Sequence, residues 1–128
     1  MKDKKRNYKD LIVWQKADQL FHMVADDVNS WPKTKIAEAI SYQVLSSAGS
    51  ISTNIAEGYG RGGSKEFRQY FRQSRGSLVE TDNWLFKAMK RELITADRYN
   101  NEYIPLIDEV GKLTTTWIGK LSQQVGRR

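Results

Sequence analysis

Along four stretches of this chain, apolar residues return at alternating intervals of three and four positions, with glycine or proline breaks between the stretches. That spacing keeps side chains on one face of an α-helix. No stretch shows the strict alternation of a half-buried strand. The sequence therefore predicts an all-α fold. Short connections between helices make neighbours antiparallel, so the expected architecture is an up-down-up-down four-helix bundle in a single domain.

The first helix is expected from about Asp10 to Asn29, with Trp14, Ala17, Phe21, Val24 and Val28 inward. Trp31-Pro32 ends it, because proline disfavours helical geometry in the residue before it. Ser30 or Thr34 is the candidate cap for the second helix. That helix is expected from Lys35 to Tyr59, with Ile36, Ile40, Val44, Ala48, Ile51 and Ile55 inward. Its middle, Ser46 to Thr53, is small side chains apart from Ile51. They have weak helix propensity but let a neighbouring helix come close. Gly58, Gly60, Gly62 and Gly63 are expected to stop it.

The third helix is expected from an N-cap at Ser64 to between Glu92 and Thr95, with Glu66 near the positive end of its dipole. Phe67, Tyr70, Phe71, Ser74, Leu78, Thr81, Leu85 and Met89 share its inner face. The fourth is expected from Ala96 to Val125, capped by Thr95 and lined by Ile104, Ile107, Val110, Thr114, Trp117, Leu121 and Val125. Pro105 either kinks it or opens its main part after a short lead-in. Residues 1–8 and 126–128 read as flexible tails.

Composition narrows the function. There are no cysteines among 128 residues, so disulfides, thiolate metal sites and cysteine nucleophiles are excluded. No apolar run reaches the ~20 residues of a membrane span, and the charged N-terminus has no signal-peptide core. A soluble, cytoplasmic protein is expected. His22, the only histidine, has no partner at metal-site or triad spacing. Gly58-Tyr59-Gly60-Arg61-Gly62-Gly63 has the spacing of a dinucleotide loop, but a helix and not a strand precedes it. Glu57 and Asn54 lie one turn apart, and Glu80 and Asp82 lie on the third helix. No pair among them is placed as an acid–base couple, and their expected role is pairing with arginines. No catalytic residue, metal site or cofactor is expected.

The most informative feature is electrostatic. Arg61, Lys65, Arg68, Arg72 and Arg75 recur at 4,3,4,3 spacing, about 120° around the helix from the apolar stripe. Glu66 is the only acid between positions 61 and 75. This segment therefore holds +4 of the chain's net +6. Like charges one turn apart repel, so an unpaired row points to an anionic partner: nucleic-acid phosphate, an acidic protein or an acidic neighbouring subunit.

The run Ser50-Ile51-Ser52-Thr53-Asn54-Ile55-Ala56-Glu57-Gly58-Tyr59-Gly60-Arg61 resembles the signature of the four-helix bundle proteins encoded in intervening sequences of 23S ribosomal RNA genes. Leu11, Trp14-Gln15 and Ala17 upstream extend the likeness, as do Phe67, Phe71, Arg75-Gly76-Ser77 and Glu80 downstream. It spans roughly residues 8–95 and is similar to accessory proteins of diversity-generating retroelements. The resemblance implies a homopentamer with a basic surface for RNA or DNA of low sequence specificity. In the retroelement branch it implies a reverse-transcriptase partner. By position, Asn54, Glu57, Gly58, Arg61, Phe67, Arg75, Gly76, Ser77 and Glu80 correspond to motif residues. One departure stands out. Two residues after Gln43, where relatives often carry a basic pair, this chain has Leu45-Ser46, which implies weaker or displaced binding there.

Overall fold

The computed structural model describes residues 7–127. Asn7 caps a 3-10 turn, Tyr8–Asp10, through a reciprocal capping box with Asp10. Three long helices follow: α1, Ile12–Asn29; α2, Lys35–Arg61; and α3, Ser64–Lys90. The fourth helical stretch is composite. It runs from α4, Ala96–Arg98, through a π-helical turn at Tyr99–Tyr103, into α5, Ile104–Gly126. There are no strands among the described residues. Of the expected tails, residues 1–6 and 128 lie outside the described residues, whereas Asn7 and Tyr8 belong to the capped turn and Gly126 to α5.

Cross-helix contacts fix the antiparallel order. Ser47 near the middle of α2 meets Thr81 late in α3. Ser64 at the start of α3 donates to Gln124 at the end of α5. Tyr103 ahead of α5 donates to Asp27 at the end of α1. Val13, Ala17, Leu20 and Val24 of α1, Val44, Ala48, Ile51 and Ile55 of α2, Phe71 and Leu85 of α3, and Tyr103 and Val110 fill the core, each at most 1% exposed.

Several boundaries and faces differ from expectation. In α1 the buried series is Val13, Ala17, Leu20 and Val24, while Trp14, Phe21 and Val28 are half-buried at its rim. Two stripes with the same spacing overlap there, and the bundle takes the aliphatic one inward. Ile36 is 48% exposed and Ala37 takes its place in the core. Helix α2 does not stop at Tyr59. It continues through Gly60 and Arg61 to a left-handed cap at Gly62, φ 83°, a conformation that glycine adopts without a Cβ penalty. Thr34 and Thr95 cap as expected, accepting from the amides of Ala37 and Arg98. Ser64 is not the cap of α3. Gly63 occupies that position, and the Ser64 hydroxyl is used across the bundle.

Packing explains why glycine is tolerated inside α2. A Cβ at Gly58 would lie 2.7 Å from Tyr70 Cβ and 2.9 Å from Phe67 Cδ1. Hydroxyls line the same seam. Ser74 Oγ donates to the Ile51 carbonyl at 2.8 Å, Thr81 Oγ1 lies 2.9 Å from Ser47 Oγ, and Ser77 Oγ lies 3.2 Å from Ser50 Oγ. Each such bond is worth about 1 kcal/mol net, and a buried hydroxyl left unpaired costs more than the bond contributes.

Pro105 opens the first turn of α5 without a break. Proline has no N–H for the carbonyl four residues back, and its ring crowds that carbonyl. The chain relieves this with a wide turn just ahead of it, in which the Ile104 N–H reaches back to the Tyr99 carbonyl. The wide turn is pinned by side chains. Asp27 receives Arg98 Nε at 3.0 Å, Arg98 Nη2 at 3.1 Å and the Tyr103 hydroxyl at 2.6 Å. The Tyr99 hydroxyl donates to Asp82. Burial, then the carboxylate partner, holds both tyrosines far above the usual phenol range.

Two outcomes follow for stability. Gly58→Ala should cost roughly 1–3 kcal/mol by overpacking, because Tyr70 Cβ cannot swing away, measurable by urea unfolding. Tyr103→Phe should cost about 2 kcal/mol at neutral pH through loss of a charge-assisted bond. The raised tyrosine values also set a sign. The unfolded chain releases these protons above about pH 10 while the folded chain keeps them, so wild-type stability falls as pH rises past that point. The Tyr103→Phe variant should show a shallower fall in melting temperature over the same alkaline range.

Candidate nucleic-acid interface

The five cations do not form one row. Arg61 lies on the last turn of α2, and the Gly62-Gly63 break separates it from the others. Its guanidinium Nη2 donates to Glu57 Oε2 at 2.9 Å and lies over the Tyr70 ring at 5.5 Å, while the Tyr70 hydroxyl reaches the same Glu57 oxygen at 3.4 Å. The Glu57 bond, with a smaller contribution from Tyr70, binds the Arg61 proton more tightly than usual. Arg61 and Glu57 thus fasten the α2–α3 corner, and Arg61 is not a free cation.

The remaining four, Lys65, Arg68, Arg72 and Arg75, share one face of α3, well around from the buried Phe71, Ser74 and Leu78. Lys65, Arg72 and Arg75 are exposed, and Arg68 is half-buried. Among the described residues none of the four forms an ion pair. Arg68 Nη1 instead contacts the neutral Ser122 Oγ of α5 at 3.3 Å. Glu66 lies beside Lys65, Arg68 and Arg72 in one shallow groove. At 1.5 Å per residue the row extends about 15 Å.

The neighbouring helix adds to this charge. The end of α5 runs antiparallel beside the start of α3, as the Ser64–Gln124 and Arg68–Ser122 contacts show. Residues 110–127 contain Lys112, Lys120 and Arg127 and no acid. Residues 61–75 carry +4 and residues 110–127 carry +3, together +7 against +6 for the whole chain, so the remainder is −1. Further along the α3–α5 boundary an open groove of about 700 Å³ is lined by Arg75, Val79, Gly111, Lys112 and Thr115, with Asp82 and Asp108 at its far side.

The residues that carry the resemblance lie on the facing turns of α2 and α3 or on the outer surface of α3. Asn54 Nδ2 donates to the Ser50 carbonyl at 2.8 Å and contacts Ser50 Oγ at 3.0 Å, and Ser77 joins through its hydroxyl. Asn54, Gly58 and Ser77 are therefore parts of the α2–α3 seam. Glu80 is exposed and, among the described residues, forms no ion pair. Asp82 accepts from a tyrosine and not from an arginine. Gly76 is exposed, and a Cβ there would meet nothing within 4 Å. Leu45 is half-buried and Ser46 exposed on α2, so the position of the missing basic pair is partly at the surface. His22 is exposed, 3.4 Å from Asp18 one turn earlier.

The Asp27–Arg98–Tyr103 cluster was not foreseen. Asp27 lies more than 70 positions from Arg98 and Tyr103, and no local spacing marks the three. Among the described residues no group of three or more His, Cys, Asp or Glu could hold a metal, and no helix is long and apolar enough to cross a membrane.

No curated protein matches this chain. The family described as 23S rRNA-intervening sequence protein matches residues 9–116, 108 of the 128 positions, from the first capped turn well into α5. With this span and the all-helical bundle on which its motif residues meet, the chain belongs to the 23S rRNA-intervening sequence protein family.

Proposed function

We propose that this protein is a non-catalytic, homo-oligomeric nucleic-acid-binding bundle that holds RNA or DNA by its phosphates. The observation that carries the reading is the α3 face. Among the described residues Lys65, Arg68, Arg72 and Arg75 lie there without carboxylate partners, beside an α5 segment free of acids. An unpaired cationic row repels itself and is relieved by an anionic partner. Contacts of this kind position a nucleic acid and do not read its bases, so low sequence preference is expected. Arg61, exposed but paired with Glu57 on its own helix, would add to these contacts from the α2 side of the corner.

Assembly multiplies the effect. Five copies, the number that the resemblance implies, would gather about +30 of formal charge (five times +6). Gly76 favours contact between copies. An exposed mid-helix glycine costs about 1 kcal/mol relative to alanine, and nothing within its own chain explains it. A soluble cytoplasmic protein meeting RNA or DNA fits this reading.

Replacing Arg68, Arg72 and Arg75 together by Glu should reduce binding of a fluorescent 20-nucleotide RNA by about 100-fold or more, with an unchanged far-UV circular dichroism spectrum. For the wild type, four phosphate contacts per site predict a log–log dependence of affinity on salt with a slope of about −3. A flat dependence would rule the reading out. Light scattering of the triple variant tests the other use of the row. If the variant loses assembly, high salt dissociates the wild type, and RNA does not compete, then the cations pair across subunits and the protein is a structural or accessory assembly.

A further inference from the structure

The other end of α3 carries a second surface, different in kind. Ile36 in the first turn of α2 is 48% exposed and Phe86 near the end of α3 is 44% exposed. With half-buried Trp84 and the buried side chain of Ile40 they line a groove of about 410 Å³. Its charged residues are Lys87, Lys90 and Arg91, and no acid lines it. Lys87 Nζ reaches only the neutral Asn83 Oδ1, at 3.1 Å, and lies 5.9 Å from the centre of the Trp84 ring. Lys90 Nζ lies 5.8 Å from the centre of the Phe86 ring. Among the described residues none of the three cations is in an ion pair.

The helix dipole accounts for cations on the last turn of α3. It does not account for two large apolar side chains left nearly half exposed beside them, Ile36 and Phe86, the latter with one edge of its ring on Tyr99. An apolar floor with a rim of one charge sign is the complement of an amphipathic segment of the opposite sign. The segments of this sequence that flank the bundle do not complement it. Residues 1–6, Met-Lys-Asp-Lys-Lys-Arg, and the closing Arg127-Arg128 are themselves basic. A second copy docked through the same face would set Lys87, Lys90 and Arg91 against their own equivalents, and a copy docked through another face, as in a ring, is told apart by the sedimentation outcome of the test below.

We propose that this groove docks an acidic amphipathic helix of a partner protein, its apolar side chains on Ile36, Trp84 and Phe86 and its carboxylates on Lys87, Lys90 and Arg91. The groove does not depend on the nucleic-acid reading. Lys87 is 12 residues beyond Arg75, about 18 Å along α3, so both surfaces can be occupied at once.

The test uses the full chain and a fluorescein-labelled 16-residue peptide with Leu at positions i, i+4, i+7 and i+11 and Glu or Ala elsewhere, followed by fluorescence anisotropy. Saturable binding is expected. Ile36→Glu and, separately, Lys90→Glu should each weaken it by about tenfold or more, with circular dichroism unchanged and RNA affinity retained. Peptides with Lys for Glu, or Ser for Leu, should not bind. Any of these results would overturn the proposal: no binding at 100-fold molar excess of protein, equal binding of the Lys peptide, insensitivity to both substitutions, or a change in sedimentation mass caused by Ile36→Glu alone, which would assign the groove to contact between copies. Loss of RNA binding in Ile36→Glu would assign it to nucleic acid instead. Loss of RNA binding only in the Arg68/Arg72/Arg75 variant leaves the two surfaces separate.

Discussion

The close approach of α2 to α3 is the constraint from which the rest follows. Gly58 lets the Phe67 and Tyr70 side chains of α3 lie directly on the α2 backbone, and Ser47, Ser50, Ser74, Ser77 and Thr81 continue the contact along both helices. Hydroxyls are short enough to permit this distance, and each requires a partner once water is gone. Their bonds therefore set the rotation of α3 as well as its distance. With Ser74 and Thr81 turned toward α2, helical periodicity leaves Lys65, Arg72 and Arg75 in solvent. The cationic face is a consequence of how the opposite face is packed.

Much of this was legible in the sequence because it rests on local rules. The apolar periodicity gave four helical segments, and Thr34 and Thr95 announced their caps by residue type and position. The small-residue run at 46–53 announced a close neighbour. Errors arose where two local signals competed or where tertiary packing overrode propensity. In α1 the aromatic and aliphatic stripes have equal spacing, and only three-dimensional packing selects between them. The glycines at 58 and 60 read as a stop, yet contact with Phe67 and Tyr70 holds α2 helical to Arg61. That extension moved Arg61 out of the row to which its spacing had assigned it.

Long-range polar chemistry was not legible. Asp27, Arg98 and Tyr103 meet across more than 70 residues, and Tyr99 meets Asp82 across a different helix pair. The π turn that brings both tyrosines inward is set by Pro105, whose place in the helix the sequence left open between a kink and a start. The structure gives the residues that carry the resemblance different places. Asn54, Gly58 and Ser77 build the seam, Glu57 and Arg61 close its corner, and the exposed Gly76 and Glu80 have no such use within one chain.

The acids collected around the π turn give the bundle a polarity. Asp27 and Asp82 are engaged near one end, and the start of α3 with residues 110–127 carries as much net positive charge, +3 and +3, as the molecule as a whole. Such a body has a preferred direction in an external field. Near a polyanion it experiences a torque as well as an attraction, and it turns its α3–α5 side forward within about a Debye length of the surface. On the proposed reading, orientation toward a nucleic acid would then be built into the distribution of charge, before any side chain touches a phosphate.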